Sequence, residues 1–210
     1  MAQDHQRFWL WAGVRAPEGL DAKEWYILDA ELRATDKGRF ITLRPGAPRL
    51  PDSDVWLVVR TDTLDWPANG ADLLAGRADR WRAVGSRVVG IQLDFDARTR
   101  RLGDYASFLA DFRRALPARY KLSITGLMDW SAHGDPAALN RLKGIVDEVV
   151  IQTYQGRETI PGYELYFDRM KNFPIPFKVG LVEDGRWVEP PGLAREANFR
   201  GYVVFLVNRR

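Results

Sequence analysis

Apolar positions along this chain follow two rhythms. Short, nearly continuous runs, such as Val55-Trp-Leu-Val-Val59 and Tyr202-Val-Val-Phe-Leu-Val207, have the length of buried strands. Longer stretches place apolar residues three and four apart, as one face of a helix requires. The first kind predicts strands over Phe8–Gly13, Trp25–Leu32, Arg39–Leu43, Val55–Arg60, Val88–Asp96, Leu122–Leu127, Glu148–Tyr154, Phe177–Leu181 and Gly201–Asn208. Asp29 and Glu31 are expected to share a face of the second. The other kind predicts helices over Ala71–Val84, from a cap at Asp104 through Tyr105, Phe108, Leu109, Phe112 and Leu116, from Asp135-Pro136 to about Gly144, and over Tyr163–Asn172. Pro117 stops the second of these, because proline cannot continue the hydrogen-bond ladder.

Strand and helix alternate through the middle of the chain. Continuous apolar strands separated by amphipathic helices imply a parallel sheet covered by helices. No glycine-rich loop opens a helix, which argues against dinucleotide and P-loop sheets. The expected fold is therefore α/β, a single (β/α)8 TIM-type barrel. The first and last connections are too short for full crossover helices, so it should be irregular, with helices missing or shortened near the termini.

Composition narrows the function classes. The chain has 210 residues, 46% hydrophobic and 28% charged, enough for one sizeable core and a single domain spanning residues 1–210. The polar stretch 1–7 is expected to be disordered. The formal net charge is +3, but basic and acidic residues are interleaved, so no nucleic-acid footprint is expected. The densest basic cluster, Arg98 to Arg101, reads as a solvated loop. There is no cysteine, which excludes disulfides, thiolate metal sites and a cysteine nucleophile. His5 and His133 are isolated, so no metal site and no cofactor are expected. No run of apolar residues reaches membrane-spanning length. Ser123 and Ser131 have no evident partner histidine.

The stretch that carries chemistry is Val88-Val-Gly-Ile-Gln-Leu-Asp-Phe-Asp96. Side chains of a strand alternate between faces. Gln92, Asp94 and Asp96 therefore share one face, opposite Ile91, Leu93 and Phe95. Acids in a dry core are costly, whereas acids at a pocket mouth do chemistry. Barrel enzymes keep their sites at the C-terminal strand ends. Polar residues gather there: Arg60, Asp94, Asp96, Asp129, Gln152, Tyr154, Gln155, Glu183 and Asn208. Gln152 and Tyr154 are again two apart. Two close carboxylates do not titrate independently, and one should be raised. Trp11, Trp130, Tyr154 and Trp187 are the aromatic candidates for stacking on sugar.

Gly90-Ile-Gln-Leu-Asp-Phe-Asp96 resembles the fourth-strand signature of the chitinase-like family 18 glycoside hydrolases, Gly-x-Asp-x-Asp-aromatic-Glu. The resemblance implies Asp96 as the acid that protonates the glycosidic oxygen. It implies Asp94 as the partner that orients the substrate's acetamido group, the nucleophile of that family. Gln92 falls on the outermost acid. Gln152-Thr-Tyr-Gln155 resembles the family's Met-x-Tyr-Asp, with Tyr154 on the tyrosine and Gln155 on the aspartate. Two departures stand out: aspartate replaces the glutamate at 96, and glutamine replaces the aspartate at 155.

Residues 8–208 are more closely similar to a bacterial family of uncharacterised proteins with a glycosidase-like barrel. The shared runs are Gly-Ile-Gln-Leu-Asp-Phe-Asp, Leu-Ser-Ile-Thr-Gly-Leu-Met-Asp-Trp, Gln-Thr-Tyr-Gln-Gly and Gly-Tyr-Val-Val-Phe-Leu-Val-Asn. That resemblance implies proteins often bearing an export signal, so export to periplasm or envelope, with the leader absent from this chain, is an expectation. The expected function is a glycoside hydrolase acting on a polysaccharide that includes amino sugars, with Asp96, Asp94 and Tyr154 catalytic. Gln92, Gln152, Gln155, Trp11, Arg60, Asp129, Trp130, Glu183 and Asn208 are the candidate substrate contacts. The alternatives are a catalytically inactive barrel that binds glycan or cell-wall material, and a scaffold whose barrel mouth docks a partner. Oligomeric state is not set by the sequence.

Overall fold

The computed structural model describes residues 4–96, 102–130 and 136–208. Its strands are β1 (Arg7–Leu10), β2 (Glu24–Leu32), β3 (Ile41–Thr42), β4 (Asp54–Thr61), β5 (Arg87–Asp94), β6 (Lys121–Leu127), β7 (Glu148–Gln152), β8 (Tyr154–Gln155), β9 (Glu158–Thr159), β10 (Phe177–Val182) and β11 (Phe199–Phe205). Eight of them, β1, β2, β4, β5, β6, β7, β10 and β11, pair in parallel in that order. The pairing of β1 with both β11 and β2 closes the ring. This is the predicted (β/α)8 barrel. The short β3 pairs antiparallel with the end of β2, and β8 and β9 form a hairpin above β7.

The helices are α1 (Gly70–Ala83), α2 (Leu102–Ala115), α3 (Pro136–Leu142) and α4 (Glu164–Phe167). Helix α1 buries Ala71, Leu74, Ala75, Ala78 and Trp81, and α2 buries Leu102, Tyr105, Ala106, Leu109 and Phe112. Both sets follow the i, i+3, i+4, i+7 spacing that carried the prediction. Pro136 occupies the start of α3, where its missing N–H costs nothing. Asp135, the expected cap, and the basic cluster 98–101, with Ser131 and His133, lie outside the described residues.

Five local expectations change. The strand expected over Glu148–Tyr154 ends at Gln152, and Tyr154 opens the β8–β9 hairpin. Asp104 lies in the first turn of α2, which already begins at Leu102. The helix expected over Tyr163–Asn172 is only the four residues of α4; the chain then turns, and Asn172 takes φ +60°. A register shift between Leu28 and Ala30 interrupts the alternation of β2. It turns the fully buried Asp29 toward α1, where both carboxylate oxygens pair with Arg77. Of residues 1–7, residues 1–3 lie outside the described ones, Gln6 bonds Asp21 and Arg7 opens β1.

Two apolar layers result. The larger lies between barrel and helices and contains Val55, Leu57, Val59, Ile91, Leu93 and Phe95. The smaller fills the barrel interior with Trp9, Tyr26, Leu28, Trp56, Val58, Val150 and Val203. Strands buried on both faces explain why β4 reads as a continuous apolar run. Among the described residues no helix is long and apolar enough to cross a membrane.

Candidate active site

A cavity of about 450 Å³ opens at the C-terminal end of the barrel. It is lined by Trp9, Trp11, Arg60, Asp94, Asp96, Gln152, Tyr154, Gln155, Gly156 and Phe205. The alternation of β5 places its acids there. Ile91, Leu93 and Phe95 are consumed by the outer layer, so Gln92, Asp94 and Asp96 face inward.

Asp94 is 7% exposed, whereas Asp96, just past the strand end, is exposed at the rim. The Thr125 hydroxyl donates to Asp94 Oδ1 at 3.0 Å and accepts the Phe95 N–H at 3.2 Å. Burial pushes the Asp94 carboxyl up to about 6, with the neighbouring Asp96 adding to the effect. The Thr125 hydrogen bond and the Arg60 charge pull the other way. Of the two coupled acids, the inner one is thus raised. Tyr154 is also raised, by burial first and then by the charges of Asp94 and Asp96, while a hydrogen bond with Gln152 opposes the shift. Its hydroxyl stays protonated at any ordinary pH.

Opposite the acids stands an aromatic wall. Phe205 stacks on Tyr154 at 5.2 Å between centroids and touches Trp9 at 5.1 Å and Trp11 at 5.8 Å. The Arg60 guanidinium lies 4.8 Å above the Trp11 ring. Arg44 donates to the carbonyls of Leu28 and Trp11 and so ties the short strand β1 to its neighbour at the mouth.

Seven of the sequence-predicted residues therefore meet in one cavity: Asp94, Asp96, Gln152, Tyr154, Gln155, Trp11 and Arg60. The others lie elsewhere. Gln92 is fully buried beneath the cavity, where it accepts the Trp9 indole N–H at 2.7 Å and donates to Ser123 at 3.0 Å. Trp130 is buried in the outer layer with its ring edge toward Tyr105. Asp129 is adjacent to it and does not line the cavity. Glu183 lines a separate hollow with Trp187 and accepts the Val207 N–H. Asn208 fastens the chain end to the loop after β1 through Gly13 and Arg15.

Trp9, Phe205 and Gly156 are the lining residues that sequence reading passed over. Trp9 was signalled by its spacing of two from Trp11. Phe205 sits on the inward register of β11 with Val203, ahead of the strand-end asparagine that drew attention. Among the described residues no cluster of histidine, aspartate and glutamate has the arrangement of a metal site.

Residues 57–170 match the family model described as Domain of unknown function, DUF3142. The chain belongs to this family. Among curated proteins nothing matches the chain. Solved structures share the barrel at low identity. The chitinase domain of the spore coat protein CotE from Clostridium difficile has a TM-score of 0.57 at 12% identity, over 84% of this chain and 65% of that one. The chain thus spans just under two thirds of that domain. The xylanase and alpha-amylase inhibitor protein XAIP-II from Scadoxus multiflorus has a TM-score of 0.59 at 12% identity, over 95% and 93%. The tamarind chitinase-like lectin has a TM-score of 0.54 at 12% identity, over 88% and 84%. This chain and these proteins thus share a glycosidase-like barrel.

Proposed function

We propose that the protein is a glycoside hydrolase acting on a polysaccharide that includes amino sugars. The observation that carries this reading is one cavity holding both an aromatic wall and a coupled acid pair. Aromatic faces accept the C–H faces of sugar rings, and a carboxyl pair beside them is what glycosidic cleavage uses. Asp96, at the rim, gives its proton to the glycosidic oxygen. Asp94 holds the substrate's acetamido group, whose oxygen attacks the anomeric carbon as the leaving sugar departs. Water then opens the cyclic intermediate and returns a proton to Asp96. Tyr154 donates a hydrogen bond to the reacting sugar.

The test is Asp96→Asn, which keeps the side chain's size and removes its proton. Turnover should fall by a factor of about 100 or more, as expected for a lost general acid, while oligosaccharide binding persists. Unchanged cleavage by that variant contradicts the assignment.

A second reading, a glycan-binding barrel without hydrolysis, is favoured by the two departures from the chitinase-like pattern. Asp96 is one methylene shorter than the usual glutamate, and Gln155 stands where that family has an aspartate. The tamarind protein of this fold is a chitinase-like lectin. Retention of glycans with no new reducing ends separates this reading from the first.

A further inference from the structure

Arg60 has no role in the chemistry proposed above. It is the penultimate residue of β4, at the cavity rim, on a strand rather than a loop. The acids beside it in the sheet are committed elsewhere. Glu31, its register partner on β2, pairs with Arg33 at 2.8 Å. Asp94, its register partner on β5, takes the Thr125 hydroxyl. Among the described residues Arg60 forms no ion pair, and its guanidinium rests on the Trp11 face at 4.8 Å. Stacking occupies the flat face of a guanidinium and leaves its in-plane N–H fork free. The fork thus sits next to the aromatic wall; its charge reaches Asp94, but among the described residues no hydrogen bond or ion pair occupies it.

A neutral sugar would meet those donors with single hydroxyl contacts. A carboxylate matches the fork with two parallel charge-assisted bonds, each roughly twice as strong as a neutral one. We infer that the glycan bound against the Trp9–Trp11–Phe205 wall is acidic, with a carboxylate on the sugar that faces Arg60. This rests on the glycan reading of the cavity and narrows it to carboxylated chains, uronic-acid or lactyl-ether glycans that also contain N-acetylamino sugars.

The test is titration calorimetry with the whole protein at pH 7. Three oligosaccharides of equal length serve as probes: an uncharged N-acetylglucosamine oligomer, an oligomer alternating N-acetylglucosamine with a uronic acid, and one alternating it with N-acetylmuramic acid. At least one carboxylated probe should bind about fivefold or more tighter than the neutral one, a preference discounted for the exposure of Arg60. Raising the salt should shrink that preference. Arg60→Gln should lower the ratio of acidic to neutral affinity toward one, and Arg60→Lys should restore part of it. Equal affinities for all three probes in the parent protein, or equal losses for all three in Arg60→Gln, overturn the inference and leave the glycan site standing. Binding of none overturns the glycan reading and this inference with it.

Discussion

Asp94 is a carboxyl in an environment that opposes its charge. Its folded value of about 6 stands above the roughly 3.9 of an unfolded aspartate. Between those values the folded protein holds a proton that the unfolded chain releases, so stability rises as pH falls through this window. Above pH 6 the ionised buried acid costs the fold about 3 kcal/mol, about 1.4 for each pH unit that separates the two values. Asp94→Asn removes that cost. Thermal melting of the variant at pH 8 should show a gain of about 2 kcal/mol, and at pH 4 almost none. An equal gain at both values would mean that the carboxyl is not raised. A residue kept at such an expense points to function, since fold stability alone would select the amide. The aromatic wall is a residue-scale device too. Phe205→Ala should weaken oligosaccharide binding about tenfold in calorimetry, on the order of one stacking contact.

At the scale of elements, β5 was legible because its two faces differ in kind. Period-two alternation was enough to separate Asp94 and Asp96 from Leu93 and Phe95; Gln152 and Tyr154 reach the cavity from two elements, β7 and β8. The same rule applied to β1 and β11 would have added Trp9 and Phe205. They were passed over because an inward-facing aromatic ring at a strand end reads like ordinary core. The bulge at Asp29 was hidden for a different reason: it exists to meet Arg77, 48 positions away, and no local pattern encodes that. The helix after Gly162 shrank although Glu164, Leu165, Arg169, Met170 and Lys171 favour helix. The chain there runs in tight turns, Arg169 to Tyr166, Met170 to Phe167 and Phe173 to Met170, that bury Phe167, Met170 and Phe173. Gly90 shows how closely β5 is fitted. A Cβ there would lie 2.5 Å from the Lys121 carbonyl oxygen and would strike the Trp56 ring. Gly90→Ala should cost on the order of 3 kcal/mol in denaturant unfolding, because backbone and a packed indole cannot move aside. A loss below about 0.5 kcal/mol would mean that the strand can shift.

At the scale of the molecule, a polar axis runs through the closed barrel beneath the cavity. Trp9 donates to Gln92, Gln92 to Ser123, and Ser123 to Glu148. From the other end Lys178 donates to Tyr26, and Tyr26 to Glu148 at 2.6 Å. Lys178 also pairs with Glu24 at 2.7 Å and Glu148 at 2.9 Å. Burial alone would raise Glu24, but Lys178, Trp56 and Arg7 hold it below the usual carboxylate range. The barrel and the eight strands that form it could be read from the sequence. This axis could not, because Lys178 and Glu24 lie 154 positions apart. Lys178→Met takes the shared cation from the buried Glu148 and the partly buried Glu24, which keeps Arg7 and Trp56, and should destabilise the fold by about 3 kcal/mol at pH 7, measured by urea unfolding. A small effect would mean that the lower end of the barrel is wetter than its burial implies.

The whole architecture places one aromatic, acid-bearing cavity at the end of the barrel where such folds do their chemistry. The central claim is that glycan bonds break there. Its most direct test is incubation of the parent protein with a panel of neutral and carboxylated amino-sugar glycans, with new reducing ends and glycan retention counted in the same samples. The account predicts new reducing ends from at least one glycan that the protein also retains. Retention with no new reducing ends across the panel would contradict hydrolysis and leave a glycan-binding barrel in its place.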